Sequence, residues 1–299
     1  MSAATAVSWF DIIVLSIVEG ITEFLPVSST GHMILARSLM GLPDSEALDA
    51  FLIIVQSGAI LAVVSVFWKL FVKWIKAWIQ FFSRGRNPAT LVLGDEQTAV
   101  NVVAAEGPAL RAQSIAVVLS VLPFALVGFL AKDFVKSLFS AQVVAWALIV
   151  GGVFILVAER MLARRSSERP TKEFGLRDAL VVGVGQCLAL WPGFSRSAAT
   201  LLFARYAGFS RSSAAEISFL VGLPTLLGVA GYEALKAWQH LDAQWWGYLA
   251  VGILVSWIVA YVCVKSFVAF LRRYPLSVFA WYRIAVGVGI LWYFGMGSP

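Results

Sequence analysis

The chain is 299 residues long, 60% of them hydrophobic and only 13% charged, with a mean hydropathy of +0.84. A soluble domain averages roughly 45–50% apolar and about 25% charged residues, so a secreted or cytosolic globular enzyme is excluded and a polytopic membrane protein is specified. The two cysteines, Cys187 and Cys263, sit in apolar runs, which excludes a disulfide framework or a Cys-rich metal site, and the net charge of +6 gains its meaning from where the cations fall.

Met1 to Phe10 carries no Lys or Arg, so the basic start of a cleaved signal peptide is missing and the first apolar segment is expected to stay in the mature protein. That segment, residues 9–42, is apolar but interrupted at Leu25-Pro26-Val27-Ser28-Ser29-Thr30-Gly31-His32. Next come three stretches approaching the roughly 20 apolar residues of a spanning helix, Ala50–Trp68, Ser114–Ala131 and Val143–Ala158, the last extendable through Ala141 and Gln142. The polar segment 84–110 between the first two is expected to be a cytoplasmic loop. A second interrupted region, 176–208, breaks at Trp191-Pro192-Gly193-Phe194-Ser195-Arg196-Ser197, and Ala214–Ala234, Trp245–Phe270 and Ser277–Tyr293 complete six spans. The halves of the interrupted regions are too short to cross a bilayer. Proline disfavours helix at the preceding residue and glycine frees the backbone, so each region reads as a re-entrant pair: half-helix, polar turn, half-helix. Irregular backbone at membrane depth is tolerated only where protein buries it or a cavity lies beside it. The expected fold is thus a single all-α membrane domain over 1–299.

The 23 basic residues set the orientation. If the first pair enters from outside, seventeen fall inside: Lys69, Lys73, Lys76, Arg84, Arg86, Arg111, Arg160, Arg164, Arg165, Arg169, Lys172, Arg177, Arg205, Arg211, Lys265, Arg272 and Arg273. Four, Arg37, Lys132, Lys136 and Lys236, fall outside. The positive-inside rule then puts both termini outside and favours a membrane over a nucleic-acid partner. The broken regions also resemble each other. Aligning Pro26 with Pro192 puts Ser29 on Ser195, and a two-residue slip puts Leu35-Ala36-Arg37 on Phe203-Ala204-Arg205. With opposite entry sides this is an inverted-topology repeat, about 8–83 and 176–240, which brings broken helices together near the midplane.

Ionisable groups inside a membrane are costly and functional by default. Glu19 and Glu23, spaced i, i+4, share a helix face and lead into Ser28, Ser29, Thr30 and His32; the second turn supplies Ser195, Arg196, Ser197 and Thr200. Arginine with hydroxyls and helix-start N–H groups describes a phosphate cradle. Paired carboxylates beside phosphate suit a divalent cation, Mg²⁺ first and Ca²⁺ as the alternative. Serine near histidine suggests an activated nucleophile or general acid. The set points to metal-assisted phosphoryl transfer, by a phosphoserine intermediate or by direct attack of water. Taken singly, each hydroxyl is commoner as helix–helix glue, and Arg283, near the end of the last span, reads as snorkelling or pairing.

Glu19-Gly-Ile-Thr-Glu23-Phe-Leu-Pro-Val-Ser-Ser-Thr-Gly-His32, with Pro192-Gly-Phe-Ser-Arg-Ser-Ala-Ala-Thr200 downstream, resembles the undecaprenyl-pyrophosphate phosphatase family of bacteria, also called the bacitracin-resistance protein family. The likeness covers nearly the whole chain, including Gln56-Ser-Gly-Ala-Ile60, and departs from it in a long polar segment at Arg84–Ala109. It implies a metal-dependent enzyme of the bacterial inner membrane that converts undecaprenyl pyrophosphate to undecaprenyl phosphate and inorganic phosphate. Such an enzyme recycles the lipid carrier for peptidoglycan and removes the target of bacitracin. The resemblance assigns Glu19 and Glu23 to metal binding or acid–base work, Ser29 to the nucleophile or a phosphate contact, and His32 to catalysis. Arg196, Ser195, Ser197 and Thr200 fall on the pyrophosphate-binding turn, with Ser28, Thr30 and Gln56 as further substrate contacts. Membrane lipids are the surrounding partner, and a homodimer is an allowed assembly. Broken helices in inverted repeats are also a transporter architecture, so a polyprenyl-phosphate flippase is the competing reading; it would need a head-group site but no serine, histidine and paired carboxylates. No His follows Ser195-Arg196 as far as Tyr206, which excludes the acid-phosphatase-like lipid phosphatases.

Overall fold

The computed structural model describes residues 7–84, 107–163, 173–239 and 241–296. Among them every regular element is helical. In chain order they are α1 (Trp9–Thr22), α2 (Ser29–Leu39), α3 (Glu46–Ile54), α4 (Gln56–Val66), α5 (Trp68–Arg84), α6 (Gly107–Leu119), α7 (Leu122–Leu130) and α8 (Lys132–Ser137). The second half holds α9 (Ala141–Ala163), α10 (Leu176–Gln186), α11 (Arg196–Tyr206), α12 (Arg211–Ala237), α13 (Ala243–Leu271) and α14 (Ser277–Met296), with a 3₁₀ turn at Cys187–Leu190 after α10. Of the polar segment expected over 84–110, residues 85–106 lie outside the described residues.

Among the described residues, six helical stretches are long and apolar enough to cross a membrane: Glu46–Val66, Ala109–Leu130, Ala141–Leu162, Arg211–Ala237, Ala243–Leu271 and Ser277–Phe294. Each contains or closely overlaps an expected span. The third gains the turn offered by Ala141 and Gln142. Two spans carry a break the hydropathy pattern does not reveal, at Val55 between α3 and α4 and at Ser120-Val121 between α6 and α7.

α1, α2, α10 and α11 are 14, 11, 11 and 11 residues long. At 1.5 Å per residue none reaches the roughly 30 Å of a hydrocarbon core. Their caps match at a fixed separation, with every equivalent position 167 residues on (175 less 8). The Ser8 N–H donates to Asp11 Oδ2 at 2.8 Å, and the Gly175 N–H to Asp178 Oδ2 at 3.2 Å. Gly31 N–H is capped by Ser28 Oγ and Ala198 N–H by Ser195 Oγ. α2 and α11 end alike: Gly41 and Gly208 take positive φ, and Leu42 N–H to Arg37 O is repeated by Phe209 N–H to Ala204 O. The correspondence therefore puts Ser28 on Ser195 and Ser29 on Arg196. The prolines of the two turns misplace it by one residue.

Close helix contacts hold these pieces in place. α1 and α4 both lie along α13, α9 pairs with α14, and α11 is gripped between α10 and α12. A Cβ on Gly20 would stand 2.8 Å from Ser256 O, and one on Gly58 would strike Ile253 O, so the α1–α13 and α4–α13 approaches exist only because these positions lack side chains.

Candidate active site

The two polar turns are built on the same device. Ser28 (φ 72°, ψ 98°) and Ser195 (φ 77°, ψ 111°) are the only non-glycine residues at positive φ among the described residues. Each such conformation costs on the order of 1–3 kcal/mol and persists only where the surroundings enforce it. Each serine caps its helix and turns the chain sharply, so that the next residue, Ser29 or Arg196, opens a helix whose first N–H groups have no intrahelical partner.

The turns meet. Arg196 Nη2 lies 2.7 Å from Glu23 Oε1, with the two side chains 10% and 5% exposed, and joins residues 173 apart in sequence. Ser29 Oγ donates to the other oxygen, Glu23 Oε2, at 2.6 Å. Arg196 Nη1 donates to Ser218 O at 3.2 Å, and its guanidinium stands over the Phe24 ring. Ser197 Oγ donates to Leu25 O at 2.7 Å, tying α11 to the first turn, and Ser195 Oγ lies 3.0 Å from Ser197 Oγ. Thr200 Oγ1 donates to Arg196 O and faces Ser218 Oγ at 2.6 Å. Glu19, one helical turn before Glu23, is buried, and its Oε1 has no hydrogen-bond partner.

His32 goes elsewhere than the spacing suggested. Its Nδ1 lies 2.8 Å from Ser28 O and must donate there, since a carbonyl only accepts. Its Nε2 lies 2.8 Å from the Tyr282 hydroxyl, and the two rings stack at 5.6 Å. The residue beside the Ser29 hydroxyl is Glu23, so the serine–histidine pairing expected from their separation is replaced by a serine–glutamate pairing. Glu19, Glu23, Ser28, Ser195, Ser197 and Thr200 are buried, while Ser29, Thr30 and His32 are half-buried and Tyr282 is exposed. The site therefore opens along the α2–α14 side. Among the described residues Thr30 and Gln56 make no side-chain hydrogen bond; Gln56 starts α4, half-buried.

Two participants were not legible beforehand, and one was misread. Tyr282 and Ser218 carried no local signal. Arg283 was expected to snorkel or pair; it is instead fully buried, at 0% exposure. Its Nη1 donates to Pro26 O at 3.2 Å, and its Nη2 to Gly193 O at 3.0 Å and Phe194 O at 2.7 Å. Pro26 and Gly193 are equivalent positions of the two turns, so one guanidinium clamps both. It also reaches Ala147 O and Leu148 O of α9. A glycine makes room for each site arginine: a Cβ on Gly222 would land on the Arg196 guanidinium, and one on Gly151 on that of Arg283.

A family model described as Bacitracin resistance protein BacA matches residues 12–289 of this chain. The chain belongs to that family. Among curated relatives, the undecaprenyl-diphosphatase of Bdellovibrio bacteriovorus is 35% identical over 286 residues, covering 95% of each chain. That of Psychrobacter arcticus is 38% identical over 288 residues, with the same coverage, and that of a Sulfurovum species is 34% identical over 281 residues, covering 93% of this chain and 96% of the relative. The matched region spans both turns, Glu19 to Thr200, and Arg283 as well.

Proposed function

We propose that this chain is an integral-membrane phosphatase that hydrolyses undecaprenyl pyrophosphate to undecaprenyl phosphate and inorganic phosphate, recycling the carrier for peptidoglycan synthesis and lowering the target of bacitracin. The observation that carries it is the Arg196–Glu23–Ser29 chain of contacts: a guanidinium for phosphate, and a hydroxyl already bonded to a carboxylate that can take its proton. A lipid carrier alone would need only the guanidinium, so this contact favours the phosphatase over the flippase.

In this reading Arg196 and the first N–H groups of α2 and α11 receive the pyrophosphate oxygens. Ser29 Oγ attacks the terminal phosphorus and passes its proton to Glu23. The Oγ–P bond forms, the phosphoanhydride bond breaks, and undecaprenyl phosphate leaves as an anion that needs no proton. Water then attacks the phosphoserine: its oxygen bonds to phosphorus as the Oγ–P bond breaks, and Glu23 returns its proton to Ser29 Oγ. Of the two water protons one leaves on the inorganic phosphate and the other passes to solvent. The 2.6 Å Ser29–Glu23 bond supports this route over direct attack of water on the substrate. The His32–Tyr282 pair lines the open edge, where the head group enters. Glu19 would hold the divalent cation, with Glu23 beside it as the base. The fit rests on two neighbouring carboxylates, one with a buried, unpartnered oxygen, and a Mg²⁺ there would neutralise phosphate charge using substrate and water oxygens for the rest of its shell. The described residues hold no group of three or more His, Cys, Asp and Glu that could form a complete protein cage.

The same proposal takes α1–α2 and α10–α11 as two re-entrant pairs of inverted topology. Their short helices, matching caps and the uneven charge of the connecting segments support it. Both termini and the site opening then face the outer side of the inner membrane, where carrier is released by glycan polymerisation.

Detergent-purified protein given undecaprenyl pyrophosphate is expected to release phosphate with Mg²⁺ and to stop with EDTA, and Glu19→Gln should need more Mg²⁺ for half-maximal turnover. No release from a monodisperse sample would overturn the phosphatase and direct attention to lipid flipping in liposomes. Gly222→Ala should slow turnover by about 100-fold, because an ångström of displacement at a positioning guanidinium is enough, while helix content by circular dichroism stays unchanged. Unaltered turnover in this variant would show that Arg196 need not sit where it does.

A further inference from the structure

α5 has three distinct faces, and the site uses none of them. Leu70, Trp74 and Ala77 are buried against the core. Ile75, Ile79 and Phe82 are exposed on a second face, and Lys69, Lys73 and Lys76, spaced i, i+4, i+7, are exposed on a third. None of these lysines is ion-paired among the described residues. Beneath the apolar edge runs a groove of roughly 850 Å³ between α5 and α6, lined by Phe71, Trp74, Trp78, Ile115, Val118 and Leu119 among others. It is fixed in place: Trp74 Nε1 donates to Gln113 Oε1 and Trp78 Nε1 to Ser114 Oγ, both at 3.1 Å. Arg111 is already committed, to the Phe81 ring and Ala77 O, and does not compete with the lysines.

A helix with a lysine row on one face and large apolar groups on the other lies in the plane of a membrane interface, with its apolar side toward the acyl chains. We propose that α5 is a recognition element for anionic phospholipid: Lys69, Lys73 and Lys76 engage anionic head groups of the surrounding bilayer, while acyl chains fill the α5–α6 groove below. Charge selects the occupant. A zwitterionic lipid could fill the groove equally well but brings no net negative charge to the three ammonium groups, whereas each lysine near an anionic surface adds to the attraction. α6 in turn contacts α10 and α12, so lipid held here steadies the face on which the second turn is mounted. The inference needs the chain to lie in a bilayer and is independent of the phosphatase reading.

Hydrogen–deuterium exchange of full-length protein in single-copy nanodiscs tests it. On replacing pure phosphatidylcholine with a phosphatidylcholine–phosphatidylglycerol mixture, exchange in peptides covering residues 68–82 should slow by about tenfold or more, and high salt should reverse the effect. The triple variant Lys69→Gln, Lys73→Gln, Lys76→Gln should lose this response, and the corresponding triple Arg variant should keep it, which separates lost charge from a damaged fold. Equal exchange in the two lipids, or an undiminished response in the triple Gln variant, would overturn the proposal. So would protection that appears only in discs holding two copies, which would make a second chain the occupant.

Discussion

Arg196→Ala is expected to lower phosphate release by about three orders of magnitude or more, the scale at which a single arginine acts on a transferring phosphoryl group. The substitution removes the guanidinium that contacts Glu23 and Ser218. It also leaves a nearly buried carboxylate without its cation, so Glu23 loses the orientation that keeps Oε2 on Ser29. Arg196→Lys should recover only part of the loss, because a point charge does not reproduce the fork that reaches Glu23 Oε1 and Ser218 O together. Turnover of the Ala variant within a few-fold of wild type, in protein of normal helix content, would remove Arg196 from the chemistry.

Arg283→Met should be nearly as damaging, by a different route. The thioether fills part of the volume, but the carbonyls of Pro26, Gly193 and Phe194 lose their donor inside the protein. Each stranded carbonyl costs about 1–3 kcal/mol, and the positive-φ turns at Ser28 and Ser195 lose the contact that holds them against their strain. A lower temperature of unfolding in detergent is therefore expected along with a loss of turnover of about 100-fold or more. Arg196→Lys, which keeps a cation beside Glu23, should leave the unfolding temperature much closer to wild type. A variant at Arg283 that kept both stability and turnover would show that the clamp is dispensable.

The six spans were legible because lipid imposes a length and composition that few other structures share. The two turns were legible because Pro26 and Pro192, each followed by hydroxyl residues, interrupt apolar runs too short to cross. The register between them was not. It is set by Ser28 and Ser195 adopting the same rare backbone conformation, and nothing about a serine announces positive φ, whereas the prolines offer an attractive false alignment. The corrected register explains the division of labour. Ser29 stands where the second turn has Arg196, and Glu19 where it has Gln186, so one half supplies the carboxylates and the serine hydroxyl and the other the guanidinium.

Contacts across the chain were the other blind spot. His32 and Tyr282 are 250 residues apart, and the hydrogen-bond partners of Arg283 among the described residues are backbone carbonyls, which leave no trace in side-chain pattern. A signal for Arg283 did exist. It is an ionisable residue in an apolar helix, and the rule that singled out Glu19 and Glu23 applies to it equally; its place near a helix end made snorkelling the easier reading. For Ser218 there was none, since serine in a membrane helix is common as packing.

A double-mutant cycle on turnover tests most directly whether the two turns form one catalytic unit. Glu23→Gln and Arg196→Lys keep rates measurable, and each is compared with the double variant under saturating Mg²⁺. Residues acting as a unit are strongly non-additive, so the double variant should be no more than about threefold slower than the slower single one. Losses that multiply would mean that Glu23 and Arg196 act independently, and that the turns do not share a site.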